Sequence, residues 1–232
     1  MSGNAQIIES STLVDLSYHS IRKDITEEYL PAGKKISLCD LCERYGVSTT
    51  PIKQALNRLI TEGLVESIPR KGWRVKPFSW SDIDELFELR LMMELNFASQ
   101  AIASVKTSAA LQIKFEQNLQ ENLALVQRYD TAEEYFRTYE LDQQFHELFI
   151  LSSGNSSALR IYKGLNSHSY AAYLFGKQPR PQTINGILEH QAVYQAMKDG
   201  DVEAVRSLLE SHIENARKKL RLFLKLQQNI RL

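Results

Sequence analysis

The sequence predicts a mainly α chain of two modules. Three helices closed by a β-hairpin come first, and an all-helical bundle follows. Glycine and proline are sparse, 10 and 6 in 232 residues, which disfavours a turn-rich all-β chain. From Ser81 onward the apolar residues recur at three- and four-residue spacing, the period of a helix. Between Leu64 and Val75, short apolar runs instead flank a turn containing proline and glycine.

Leu13, Leu16, Ile21 and Ile25 lie close to one helical face and predict a first helix within 11–29. Pro31, Ala32 and Gly33 break it. Ser37 reads as the N-cap of a short helix over 38–45, with Asp40 as the acidic partner three residues on. Gly46 ends that helix, because glycine accepts the left-handed cap conformation. Ser48 caps the next helix and Pro51 sits in its first turn, where a missing N–H costs little. Ile52, Leu56, Leu59 and Ile60 form its buried stripe, and Gly63 closes it. Strands over 64–68 and 73–75 flank a turn at Pro69–Gly72 that carries Arg70 and Lys71.

The break between modules falls near Pro77–Ser81, dividing 1–78 from 79–232. The second module is expected to form helices at 81–104, 108–128, 131–153, 156–174, 183–199 and 201–227. Gly154 with Asn155, and Gly200 with Asp201, supply two of its turns.

Net charge is zero but unevenly spread. Gly33–Lys76 holds nine Lys or Arg against four Asp or Glu, while residues 81–232 hold 17 basic and 19 acidic. A basic module joined to a slightly acidic one points to nucleic acid as a partner. No apolar run approaches the roughly 18 residues of a membrane span. The start, MSGNAQIIES, has no basic region followed by an apolar one. With only two cysteines, a reducing cytoplasm is the expected location.

Two helices joined through Gly46, the second of them basic, make a helix-turn-helix whose second helix enters the DNA major groove with its N-terminal part. Thr49, Thr50, Lys53 and Asn57 are the polar residues able to face DNA there. The hairpin with Arg70, Lys71 and Arg74 would be a wing over the backbone. Cys39 and Cys42, in C-x-x-C spacing, need no chemistry in this frame. A zinc site needs about four ligands, and the nearby histidine is His19. A thioredoxin-like dithiol needs a βαβ setting. Cys42 is expected to pack as a small hydrophobe against the second helix, with Cys39 partly exposed.

In the second module Asp142 and His146 are four apart, so they project from one helical face. His146, His190 and His212 fall on three different expected helices, which antiparallel packing can bring to one level of a bundle. One Asp and three His suit Zn²⁺, Ni²⁺, Mn²⁺ or Fe²⁺ rather than Ca²⁺ or Mg²⁺. The alternative for each histidine alone is a hydrogen-bonded core residue.

The stretch YHSIRKDI…LPAG…ISLCDLCERYGVSTTPIKQALNRLITEGLVESIPRKGWRV resembles the GntR family of bacterial transcription factors. The resemblance implies a winged helix-turn-helix. Its DNA-facing residues would be Ser48, Thr49, Thr50, Lys53, Asn57 and Arg58 on the helix, and Arg70, Lys71 and Gly72 on the wing. Thr49, Lys53 and Asn57 stand where many members carry arginine, and Gln54 where glutamate is usual. These departures bear on the operator sequence rather than on DNA binding itself.

ELRLMMELNFASQAI, the D-x-x-x-H motif followed by S-G-N, EHQAVYQAMKDGDVEAV and SHI are similar to the all-helical FCD domain of the FadR-type subfamily. That resemblance implies one divalent ion on Asp142, His146, His190 and His212, and a small carboxylate effector near it. Arg90, with its fork matched to a carboxylate, is an effector candidate; a salt bridge to Glu94 one turn on is its alternative role. Asn155 and His168 could line the same cavity, as could Tyr170 and Tyr173 unless these are core. The implied function is a homodimeric repressor bound to a short DNA palindrome and released by its effector. A metal-dependent hydrolase or lyase, with Glu94, Glu147 or Glu189 as base, and a regulator sensing redox through Cys39 and Cys42 are the competing functions.

Overall fold

Local signals start and stop most of the helices. The structure, a computed structural model, describes residues 12–77, 80–166 and 180–230. The chain divides into two units, Met1–Phe78 and Ser79–Leu232.

The first unit runs α1 (Leu13–Thr26), β1 (Lys35–Ile36), α2 (Leu38–Tyr45), α3 (Thr49–Thr61), β2 (Val65–Ile68) and β3 (Gly72–Val75). Thr12 opens α1 with a reciprocal capping box to Asp15. The face that α1 buries is Tyr18, Ile21 and Ile25, with Ser17 and Asp24; Leu13 and Leu16 are 58% and 51% exposed. That face meets α3, where the Tyr18 hydroxyl donates to Glu62 Oε1 at 2.6 Å. Buried Asp24 accepts from Arg44 Nε at 2.8 Å and from the Tyr45 hydroxyl at 2.6 Å, tying α1 to the end of α2.

Ser37 Oγ accepts the Asp40 N–H and Gly46 closes α2 at φ 66°. The residue α2 buries is Leu41, while Cys42 is half-buried and Cys39 exposed. The inward position thus goes to the larger apolar side chain. Ser48 holds the N-cap position of α3, but its side chain makes no cap hydrogen bond. Ile52, Leu56 and Leu59 are fully buried, and each burial stabilises by about 1.5–3 kcal/mol. The sheet is antiparallel in the order β1-β3-β2, with Glu66 opposite Arg74 and Ile36 opposite Trp73. Strand β1 was not foreseen: two residues have no period, and their state depends on β3.

The second unit contains α4 (Trp80–Thr107), α5 (Ala109–Val126), α6 (Ala132–Ser152), α7 (Ser156–Gly164), α8 (Arg180–Asp199) and α9 (Val202–Ile230). Ser108, Thr131 and Asn155 cap α5, α6 and α7 through their side chains. Gly154 and Gly200 turn the chain at φ 76° and 80°. Helix α7 ends at Gly164, and the later part of the helix expected over 156–174 lies outside the described residues. Helix α4 packs against α9, α6, α8, α5 and α7, so it is the axis of the bundle. Ala98, Ala101 and Val105 of α4 share a core with Phe115 of α5, Phe145 and Phe149 of α6, and Val193 of α8.

Candidate metal centre and nucleic-acid interface

Helix α6 carries Asp142 and His146 one turn apart, α8 carries His190, and α9 carries His212. Packing brings their ligand atoms within 4.8 Å of one another. The three Nε2 atoms form a tight triangle. His146 to His212 and His190 to His146 are each 3.2 Å, and His190 to His212 is 3.0 Å. Asp142 Oδ1 lies 3.5 Å from His190 Nε2, and Oδ2 lies 4.0 Å from His146 Nε2. All three imidazoles are buried, and Asp142 is half-buried.

Carboxylates assign two of the tautomers. His146 Nδ1–H donates to Glu94 Oε2 at 2.8 Å, and His212 Nδ1–H donates to Glu189 Oε2 at 2.7 Å. In a neutral ring that arrangement leaves Nε2 as a bare acceptor, and these two Nε2 atoms are aimed at each other. Burial pushes the His146 imidazolium down to about 4, against the pull of Glu94, and pushes His190 well below its ordinary range. Both rings are neutral at pH 7. Burial alone would raise Glu94, but His146, Arg90 and the Tyr162 hydrogen bond hold it at about 2. Burial would likewise raise Glu189, but hydrogen bonds from His212 and Asn215 hold it low. His190 is aligned differently: its ring stacks on Phe145, centroids 4.2 Å apart and planes at 9°.

Lone pairs converging in a buried space are satisfied by a cation. Imidazole binds Zn²⁺ at about 2.0–2.1 Å, so nitrogens 3.0 to 3.2 Å apart would subtend roughly 90–105° at a shared ion. Histidines whose second nitrogen donates to a carboxylate are the usual form of a metal ligand. One carboxylate and three imidazoles fit a divalent transition-metal ion.

In the first unit, α3 turns Ile52, Ala55, Leu56 and Leu59 inward. Thr49, Thr50, Lys53, Gln54, Asn57 and Arg58 are left exposed. Ser48 makes no side-chain cap bond, so the N–H groups that start the helix are left uncapped, Pro51 contributing none. Such an end suits a phosphate. At the hairpin tip Arg70 has φ 62°, and Arg70 and Lys71 are exposed.

Comparison with known proteins decides the family. The gntR family of bacterial regulatory proteins matches residues 16–75, and the FCD domain matches residues 85–215. The chain belongs to the GntR family, FCD type. It is 23% identical over 206 residues to the HTH-type transcriptional repressor RspR of Escherichia coli (strain K12), covering 88% of this chain and 87% of the relative. It is 25% identical over 202 residues to the HTH-type transcriptional repressor GlaR of the same strain, covering 84% and 90%. The solved structure of E. coli McbR/YncC shares its fold, with a TM-score of 0.66 at 17% identity over 91% of this chain and 98% of that one. This GntR-family chain is thus a DNA-binding transcriptional regulator, and its family and relatives are regulators rather than enzymes. No helix among the described residues is long and apolar enough to cross a membrane.

The other expected site residues divide in this regulator. Arg90 is 1% exposed, and its Nε lies 3.3 Å from Glu94 Oε1, the alternative role named for it. Asn155 is exposed and spends its side chain on the α7 cap. His168, Tyr170 and Tyr173 lie outside the described residues. Arg58 braces α1, with Nη1 2.6 Å from Asp15 Oδ1 and its guanidinium 4.0 Å from the Tyr18 ring centroid. Arg74 pairs across the hairpin with Glu66. Sequence reasoning missed Glu189 and Glu94 as histidine partners. It also missed Tyr162, whose hydroxyl donates to Glu94 Oε1 at 2.6 Å. The available signals were Glu189 standing beside His190 and the Arg90–Glu94 spacing.

Proposed function

We propose that this chain is a metal-containing repressor that holds a short palindromic DNA site as a homodimer and releases it when a small carboxylate binds near the ion. The triangle of Nε2 atoms 3.0 to 3.2 Å apart, beside Asp142, carries the metal part of this function. Asp142, His146, His190 and His212 would hold Zn²⁺, Ni²⁺, Mn²⁺ or Fe²⁺. A bound ion supplies a Lewis-acidic centre able to take a carboxylate oxygen. Arg90, which meets Glu94 through Nε, stays a candidate anchor for the effector carboxylate, and a second candidate is Lys219. It lies two turns past His212 on the same stripe of α9, half-buried, with Glu189 and Asp142 in its electrostatic surroundings.

On DNA, Thr50, Lys53, Gln54 and Asn57 would read the major groove, and Arg70 and Lys71 would meet phosphates from the wing. A two-fold dimer matches a palindrome. Effector binding would favour the dimer arrangement with weaker DNA affinity. The repressor names of RspR and GlaR support the sign, and DNA as the partner supports action in the cytoplasm.

The test is elemental analysis of purified wild type and His212→Ala, followed by titration of the DNA complex with small carboxylates. About one divalent ion per chain, lost in the variant, is the expected result. No ion in the wild type after supply of Zn²⁺, Ni²⁺ and Mn²⁺ would sink the metal centre.

A further inference from the structure

We infer that Arg90, Glu94 and Tyr162 form a positioning unit for the metal centre, setting the aim of His146 through the Glu94 carboxylate. This role rests on the proposed ion and concerns residues that would not touch the ion. The four side chains of Arg90, Glu94, Tyr162 and His146 are 0 or 1% exposed. Three helices meet on one carboxylate. Glu94 Oε1 accepts from the Tyr162 hydroxyl of α7 at 2.6 Å and from Arg90 Nε of α4 at 3.3 Å. Glu94 Oε2 accepts from His146 Nδ1 of α6 at 2.8 Å.

A carboxylate so deep in a bundle would be strongly disfavoured alone. Arg90 neutralises it and Tyr162 fixes its rotation. With Oε1 held from two sides, Oε2 has one place to point, and that place fixes the His146 ring plane and tautomer. The anion also makes His146 Nε2 a better donor to a metal. Glu189 serves His212 in the same manner, with Asn215 Nδ2 2.9 Å from its Oε1. The Glu94 arm differs in being buried throughout.

Tyr162→Phe tests this with little change of shape. The probes are Zn²⁺ competed against a chromophoric chelator and the visible spectrum of the Co²⁺-loaded protein. Zn²⁺ affinity should fall roughly ten-fold, and further in Glu94→Gln, within the range of about 10–100-fold typical of outer-shell partners. The Co²⁺ bands should shift in both variants, which a loss of stability alone would not cause. Wild-type affinity and an unshifted spectrum in Tyr162→Phe would overturn the role, whether or not Glu94→Gln folds. If that result accompanies loss of Zn²⁺ in His212→Ala, the metal centre stands and only the positioning unit falls. A wild type that takes up no Zn²⁺ overturns both.

Discussion

Replacing Arg70 by glycine should separate the stability of the first unit from its grip on DNA. Lys71 N–H donates to Ile68 O at 3.0 Å across Pro69 and Arg70, and Arg70 has φ 62°. A turn with proline second and a positive φ third is a glycine position. An L side chain there costs about 1–2 kcal/mol. Glycine removes that cost but loosens the unfolded chain by about 0.4–1 kcal/mol. The net gain is up to about 1.6 kcal/mol, or a melting temperature higher by up to roughly 13 °C in a unit of this size. Strain of this kind concentrates at functional positions, and here it holds a cation at the tip of the hairpin. Loss of one phosphate contact should flatten the slope of log affinity against log salt by about 0.9. The phosphate contribution is independent of sequence, so fluorescence anisotropy on any duplex, over roughly 50–200 mM salt, suffices. A variant that is less stable, or that keeps the wild-type slope, would refute the reasoning.

Two further outcomes follow from backbone and charge. Gly46→Ala should destabilise the first unit by about 1–2 kcal/mol, because φ is 66° and an added Cβ meets no atom within 4 Å, so only the backbone objects. A denaturant melt with an unchanged midpoint would contradict this. Asp84, in the second turn of α4, accepts from Arg221 and, at 2.9 Å, from Arg217 on α9. Arg221 and then Arg217 hold its carboxyl below the ordinary value of 3.8. A depressed carboxyl contributes stability that is present above its unfolded pKa, about 3.9, and lost as pH falls through the folded value. Thermal melts should therefore show Asp84→Asn losing less stability than wild type as pH drops below about 4. Equal losses would remove Asp84 from the acid response.

Much of the fold was legible because its signals are local. Ser37, Gly46, Gly154 and Gly200 mark boundaries through their own backbone and side-chain chemistry, and the structure has them in those roles. Apart from the fourth, the expected helices of the second unit end within three residues of the observed ones. Pairing was not legible. Strand β1 exists because Lys35 and Ile36 meet Arg74 and Trp73. Leu13 and Leu16 look like part of a buried face until α3 covers Tyr18, Ile21 and Ile25 instead. Charge and position make Arg58 a candidate DNA contact; its hydrogen bond to Asp15, 43 residues earlier, is a pairing that neither of them signals.

The sequence by itself determined the two modules, the exposed polar side of α3 and the identity of the four side chains now found within 4.8 Å of one another. Residue type and helical period carry that much, since both belong to short stretches of chain. Tertiary structure alone decided which carboxylate meets which imidazole. Glu94 reaches His146 across 52 residues, and Glu189 reaches His212 across 23. Helix packing sets those distances, and with them the direction in which each imidazole lone pair points.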